Sequence, residues 1–281
     1  MKYPLAAICF LLSFGTAAND VATKAGADVW LYHLPVHYSV ESYRQESNIT
    51  GLYGALRTES GIVWEGGVER TRLRYDSGFE LEQRDVTLRF TYPGQNNLSY
   101  HLGVHDISSD YQPDEGVVLF AGLVRHYPYD KYYGATLHHS HYPHSDVRVW
   151  QAVPNVGKYF QAPFGAGTFL LDGKLYLITT DIHREKNTYL SVEGNISWFY
   201  YPFDLSLGVW DGTQSFAVRD GGFTVYNLPE KHKGGVDFQA GYAIGKNTRL
   251  GLGIAREKVI EDFSWLDVDI TTYRIVLKQR F

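Results

Sequence analysis

Residues Tyr273-Arg274-Ile275-Val276-Leu277-Lys278-Gln279-Arg280-Phe281 alternate, with Tyr273, Ile275, Leu277 and Phe281 on one side of an extended chain and Arg274, Lys278 and Arg280 on the other. Successive side chains of a strand point to opposite faces, so such a segment needs an apolar surrounding on one side and water or counter-charge on the other. The pattern recurs back along the chain, with no convincing amphipathic helix between the repeats. No apolar run approaches the roughly 20 residues of a membrane-spanning helix. Many half-apolar strands without helices leave two architectures. One is a soluble sandwich or barrel with one wet face; the other is a transmembrane barrel with its apolar face outward.

Counting back from the end, strands are expected near 269 to 281, 248 to 260, 235 to 244, 204 to 219, 188 to 200, 168 to 182, 145 to 159, 132 to 142, 117 to 126, 98 to 106, 79 to 91, 61 to 74, 49 to 57 and 30 to 44. Fourteen strands result; Asp172-Gly173 inside one of them also reads as a turn, which leaves 12 or 16 as alternatives. Connections at 58 to 60, 92 to 97, 127 to 131, 201 to 203 and 245 to 247 are short and rich in turn residues. Those at 107 to 116, 220 to 234 and 261 to 267 are longer and more charged. Short turns at one end and longer loops at the other fit an all-β, antiparallel up-and-down barrel across a membrane, with both termini in the periplasm.

The alternation also assigns faces. Val86, Leu88, Tyr100, Leu102, Leu190, Val192, Ile196, Phe238, Leu252 and Ile254 would face lipid. Asp85, Arg89, His101, His105, Glu193, Asp237, Arg249, Arg274 and Lys278 would line the lumen. Arg or Lys at the midplane on the lipid side costs about 2 to 4 kcal/mol, so this segregation carries energy. The 22 Tyr, 15 Phe and 6 Trp suit aromatic girdles at two membrane interfaces. A net charge of −5 gives nothing for nucleic acid to bind.

The final strand, with Tyr273, Ile275, Leu277 and Phe281 on one face, resembles the C-terminal signal strand of bacterial outer-membrane barrels. That resemblance implies recognition by the barrel-assembly machinery. The other end agrees with export. Met1-Lys2 is a basic start, Leu5 to Phe14 is apolar, and Thr16-Ala17-Ala18 supplies small residues for cleavage, so 1–18 reads as a signal peptide and 19–281 as the barrel. The one cysteine, Cys9, lies in that leader, which leaves the barrel without disulfides, thiolate metal sites or a cysteine nucleophile.

Candidate sites are few. His138, His139, His141 and His144 cluster toward the outer end of one strand, where His139 and His141 have the alternate spacing of metal ligands. A solvated rim is the plainer reading, and no cofactor is implied. Arg70, Arg72 and Arg74 alternate toward an outer end and suit either lipopolysaccharide phosphates or a solvated rim. Ser140 lies between His139 and His141, but neighbours on a strand face opposite ways and cannot pair as nucleophile and base; His101 or His105 would have to serve from other strands. No Gly-x-Ser-x-Gly or His-Glu-x-x-His motif occurs.

Val118-Leu119-Phe120-Ala121-Gly122, Tyr127-Pro128-Tyr129-Asp130-Lys131-Tyr132-Tyr133 and Trp150-Gln151-Ala152-Val153-Pro154-Asn155-Val156-Gly157-Lys158-Tyr159-Phe160 are similar to the YaiO-type outer-membrane barrels. That resemblance implies location and some association with envelope polysaccharide systems, with no catalytic residues to carry over. The expected function is a small channel or transport barrel for small polar solutes in the outer membrane, in contact with its lipid and lipopolysaccharide. A lipid-modifying hydrolase and a closed structural or surface-binding barrel are the rival classes.

Overall fold

The computed structural model describes residues 25–261 and 265–281; the expected leader, 1–18, lies outside the described residues. Sixteen strands follow in order: β1 (Gly26–Tyr38), β2 (Arg44–Arg57), β3 (Val63–Tyr75), β4 (Glu80–Pro93), β5 (Leu98–Ser109), β6 (Gly116–Tyr127), β7 (Lys131–Tyr142), β8 (Val147–Gln161), β9 (Thr168–Ile182), β10 (Glu185–Tyr200), β11 (Phe203–Gln214), β12 (Val218–Arg219), β13 (Thr224–Val225), β14 (Lys231–Ala243), β15 (Thr248–Ile260) and β16 (Asp267–Arg280). All but β12 and β13 pair antiparallel with their sequence neighbours, and β16 returns to β1, so fourteen strands close a barrel. The closing seam runs in register from Asp28 opposite Arg280 to Tyr38 opposite Ile270. Closure removes the unpaired edge that an open sheet would present to lipid.

Barrel strands of 12 to 16 residues exceed the roughly 9 to 11 that a tilted strand needs to cross a bilayer. Their outward positions form a continuous apolar belt. Leu31, Leu52, Val68, Leu88, Leu102, Leu119, Leu137, Leu177, Val192, Leu207, Val236, Leu252 and Ile275 are all exposed on it. In water each would forgo about 1.5 to 3 kcal/mol of burial, and a belt around the whole molecule is far larger than the patches soluble monomers show. The end that carries Gly26 and Arg280, called here the terminus end, adds aromatic residues to the belt. Trp64 packs on Phe90 at 4.6 Å, Phe203 on Tyr242 at 5.3 Å, and Trp198 stacks on Tyr200 at 5.7 Å. Toward the far end the belt gives way to outward charge at Arg70, Arg84, Arg148, Arg256 and Asp269.

Asp172 and Gly173 lie mid-strand in β9, opposite Asn195 and Gly194, so they make no turn and the count stays at fourteen. The expected strand at 30 to 44 breaks after Tyr38, because a turn closed by Ser42 N–H on the Ser39 carbonyl at 3.0 Å separates β1 from β2. The expected difference in loop length is weaker than the sequence suggested. At the far end β3 and β4 are joined by 76–79, β7 and β8 by 143–146, and β9 and β10 by 183–184, all tight connections. Most of the asymmetry rests in 215–230.

That segment departs furthest from expectation, which had a strand running to 219 and a solvated loop after it. β11 instead stops at Gln214, and its register shifts between Asp211 and Gln214 while β14 shifts between His232 and Gly234. A bulge bends its strand, and Gly212 sits in the first one at φ 114°, a conformation that suits glycine. Paired bulges at the two stems turn 215–230 inward, where β12 and β13 form a small hairpin in the lumen.

Candidate functional site in the barrel lumen

Eight strands close on an interior that side chains alone can fill, whereas sixteen leave an aqueous channel. Fourteen fall between, and here the inward segment 215–230 occupies the difference. Phe216, Val218, Phe223, Val225 and Leu228 of this plug are buried, and most of them join one cluster with inward wall residues such as Leu34, Ile49, Val118, Val149, Ile178 and Val259. The far half of the lumen is therefore a packed core. Inward residues nearer the terminus end, among them Asp28, Lys174, Arg249 and Lys278, are partly exposed, so that half is a chamber open to solvent.

Polar contacts fasten the plug to the wall on several sides. On β8 the Gln151 amide accepts from Val218 N–H at 3.0 Å and donates to the Val218 carbonyl at 2.5 Å. On β4 Gln83 accepts from the Asn227 amide at 2.8 Å. Arg44, at the start of β2, pairs with Glu230 at the stem of the plug, one bond being 3.1 Å, and both are almost wholly buried. Tyr43, in the β1–β2 turn, donates its hydroxyl to Glu230 at 3.3 Å, and burial raises that hydroxyl above the usual tyrosine range, which keeps it a donor. At the inner tip Arg219 donates to Glu193 at 2.5 Å and to the Tyr226 hydroxyl at 3.0 Å. Tyr226 in turn stacks on His232 at 4.0 Å.

The residues expected to line the lumen occupy three levels. Glu193 is a hub at the base of the plug. It accepts from Lys174 at 2.7 Å, from the Tyr176 hydroxyl at 3.0 Å and from Asn195 at 3.0 Å, besides Arg219. Arg89 binds Glu65 at 2.5 and 2.6 Å and reaches the Gly221 carbonyl at 3.4 Å. Lys278 pairs with Asp28 at 3.4 Å near the open mouth, Arg249 pairs with Asp204, and Asp237 accepts from Gln239 at 2.7 Å. Arg274 is buried between chamber and plug, and its Nε and one Nη find no hydrogen-bond partner among the described residues. His105 and Asp85 lie deep in the packed half, 3.5 Å apart. His101 reaches Thr136 at 3.1 Å across Gly122, where a Cβ would come within 2.6 Å of the imidazole. Arg219, at the end of the expected strand, and Asp220 and Glu230, in the expected loop after it, reach the same interior.

The histidine cluster divides between faces. His138 points inward, His139 stacks outside on Trp150 at 4.3 Å, and His144 lies in a turn 3.4 Å from Glu115. Among the described residues no group of three or more His, Cys, Asp or Glu is placed to hold a metal ion. Ser140 has no histidine within hydrogen-bond reach, since His105 turns both nitrogens toward Thr87 and Asp85 on β4. The outward arginines are already engaged. Arg70 pairs with Glu82, and Arg74 pairs with Glu46 at 3.1 Å and Glu80 at 3.3 Å. A shallow groove of about 330 Å³ beside them, lined by Glu82, Arg84, Ser108, Ser109 and Asp110, is on the rim and apart from the lumen.

No protein-family model matches the chain, and no curated protein does. Solved structures do. The outer-membrane protein Omp33 of Acinetobacter baumannii is similar over 91% of this chain and 99% of its own, at TM-score 0.54 and 8% identity. The toluene transporter TbuX of Ralstonia pickettii is similar over 92% of this chain and 89% of its own, at TM-score 0.56 and 9% identity. A TodX monoaromatic hydrocarbon channel lacking S2 and S3 aligns over 91% of this chain and 90% of its own, at TM-score 0.53 and 12% identity. At such identities the likeness is one of fold, and the fold is that of the closed, fourteen-stranded antiparallel outer-membrane β-barrel.

Proposed function

We propose that the chain is an integral outer-membrane barrel that passes small polar solutes along a narrow route limited by the segment 215–230, with its terminus end in the periplasm. The observation that carries this reading is the division of the lumen. A charged, solvent-open chamber ends against a plug that polar side chains hold in place. A wide pore needs no such plug, and a barrel built only as a scaffold needs no charged chamber. TbuX and TodX are described as a toluene transporter and a monoaromatic hydrocarbon channel. For an apolar solute here the apolar wall of the far half would have to line free space, yet plug residues such as Val218 and Val225 pack against it. A polar solute is therefore the better match.

Phe281 and the belt residues Tyr273, Ile275 and Leu277 would be read by the barrel-assembly machinery. Lipopolysaccharide phosphates at Arg70, Arg72 and Arg74 would compete with Glu46, Glu80 and Glu82 already there. The YaiO-type likeness rests on strand patterns, and nothing in the channel reading depends on it.

Planar-bilayer recording of refolded protein tests the proposal. Replacing 216–229 by a short glycine-rich turn should raise conductance severalfold over the intact chain. In that background Arg274→Glu with Lys278→Glu should shift selectivity toward cations, because fixed charge in a lumen decides which ions enter. A plug-less barrel that migrates as a folded species but does not conduct would leave the closed structural barrel as the better reading.

A further inference from the structure

The polar ties between plug and wall are unevenly distributed. Among the described residues they engage β2, β4, β8, β10 and β15, and His138, Ser140 and Tyr142 of β7 take part in none. There His138, Ser140 and Tyr142 follow one another on the inward face, and they are 3%, 1% and 0% exposed. Neither ring nitrogen of His138 has a hydrogen-bond partner among the described residues, and the Ser140 and Tyr142 hydroxyls have at most each other. Leaving a buried polar group unpaired is costly, and native proteins keep few of them. The two His138 nitrogens, and the hydrogen-bonding capacity that Ser140 and Tyr142 do not spend on each other, find no partner in the rest of the wall.

What the plug offers opposite them is apolar or bare. Phe216 packs against the Tyr142 ring at 5.2 Å, and the backbone of Gly222 approaches Phe120, beside His138, so closely that a Cβ there would lie 2.2 Å from the ring. Below His138 the column continues through Thr136, which bonds His101, toward the open chamber. A polar file thus runs from the chamber up the inner face of β7, whose His138, Ser140 and Tyr142 make no hydrogen bond to the plug.

We propose that this column is a binding seam for a small neutral solute bearing hydroxyl groups, which moves between plug and wall along β7; this rests on the channel reading above and names the solute class. The chemistry selects it in three ways. A neutral imidazole and two hydroxyls both donate and accept, as a polyol does. An ion entering between Val118, Phe120 and Phe216 would lose its hydration with no opposite charge free to replace it, since Asp85 is already held by Gln83 and His105. A hydrocarbon would leave both His138 nitrogens unpaired. Inward residues on a strand recur about every 6.8 Å, a step that a polyol of a few carbons bridges with its hydroxyls.

Two measurements test the seam, both with Cys9 replaced by serine. In the first, Ser140→Cys and Ile178→Cys are compared for reaction with iodoacetamide in detergent-solubilised, heat-modifiable protein. Both positions are equally buried, but Ile178 faces the apolar sector of the plug. Ser140→Cys should react at least about tenfold faster, as local opening and hydration differ at the two sites. Equal slow rates would overturn the seam whether or not the barrel conducts. In the second, swelling of proteoliposomes in erythritol is compared for the intact chain and His138→Leu, with Ser140→Ala used if His138→Leu does not assemble. Entry should fall about tenfold, the value of one or two lost hydrogen bonds. Fast labelling with unchanged erythritol entry would overturn the proposal while leaving the channel reading intact. Fast labelling with no entry in the intact chain or in the plug-less barrel would remove both.

Discussion

Glu230→Gln should loosen the plug without disturbing the barrel. Arg44 and Glu230 are 1% and 2% exposed and face each other across the stem of 215–230. Glutamine keeps the shape but leaves the Arg44 guanidinium buried without its counter-ion, a change that typically costs about 3 to 5 kcal/mol. Glu261, which accepts from Ser42 at 2.5 Å, is a second carboxylate acting on Arg44 and offsets part of that loss. The lower end, about 3 kcal/mol, is therefore expected, a shift of about a hundredfold in the plug's opening equilibrium. Hydrogen exchange of refolded protein in detergent reads it directly. The amides of Val218 and Tyr226 should exchange about a hundredfold faster, while amides in the β9–β10 ladder keep their protection. A double variant, Arg44→Met with Glu230→Leu, should recover most of the lost protection, because apolar residues of similar size often replace a buried pair without penalty. Wild-type exchange in Glu230→Gln, or a double variant as loose as the single one, would show that the pair does not hold the plug.

Leu252→Arg, on the outer belt, should cost the barrel about 2 to 4 kcal/mol in denaturant unfolding from lipid vesicles, whereas Gln239→Arg, inward and beside Asp237, should be close to neutral. Equal costs would mean that the two faces of β14 and β15 are assigned wrongly. Phe281→Ala keeps the backbone bond from Phe281 N–H to the Ala27 carbonyl at 2.8 Å, so refolding in detergent should be unchanged while assembled protein in cells falls; normal cellular levels would discard the assembly-signal role.

The outward belt was legible because strand alternation is a local property. Leu252 and Gly253 face opposite ways whatever the rest of the chain does. The plug was not legible, for two physical reasons. Phe216 and Val218 still alternate with smaller neighbours and so read as more of β11, although their even positions reverse the phase of the outward Leu205, Leu207 and Val209. Arg219, at the end of the expected strand, and Asp220 and Glu230, in the expected loop, do not read as buried because their partners are remote in sequence: Glu230 pairs with a residue 186 positions away, and Arg219 with one 26 away. Three glycines within 212–222 are the one sequence signal that a bend and close backbone contacts were coming. The histidine cluster misled in a different way. His139 and His141 do share the outward face, as their alternate spacing requires, but no third ligand joins them among the described residues, and His138 points inward.

Wall and plug also constrain how anything passes. Inward residues of the far half, such as Ile49, Val118 and Ile178, would be ill suited to a water-filled pore, and they are matched to an apolar plug. Swinging the plug out would expose Phe216, Val218, Phe223, Val225 and Leu228, at about 1.5 to 3 kcal/mol each, or roughly 7 to 15 kcal/mol before any polar tie is broken. A state that costly is populated below about one part in 10⁵, too rarely to serve as the ordinary open form. On the proposed channel reading, passage would then use a sector where wall and plug separate with the least unpacking of that core. The ties to β2, β4, β8, β10 and β15 fix the plug on those sides. The β7 sector presents polar atoms that nothing on the plug bonds, so a displacement limited to the Phe216–Tyr142 contact there exposes hydrogen-bonding groups along with that one aromatic pair.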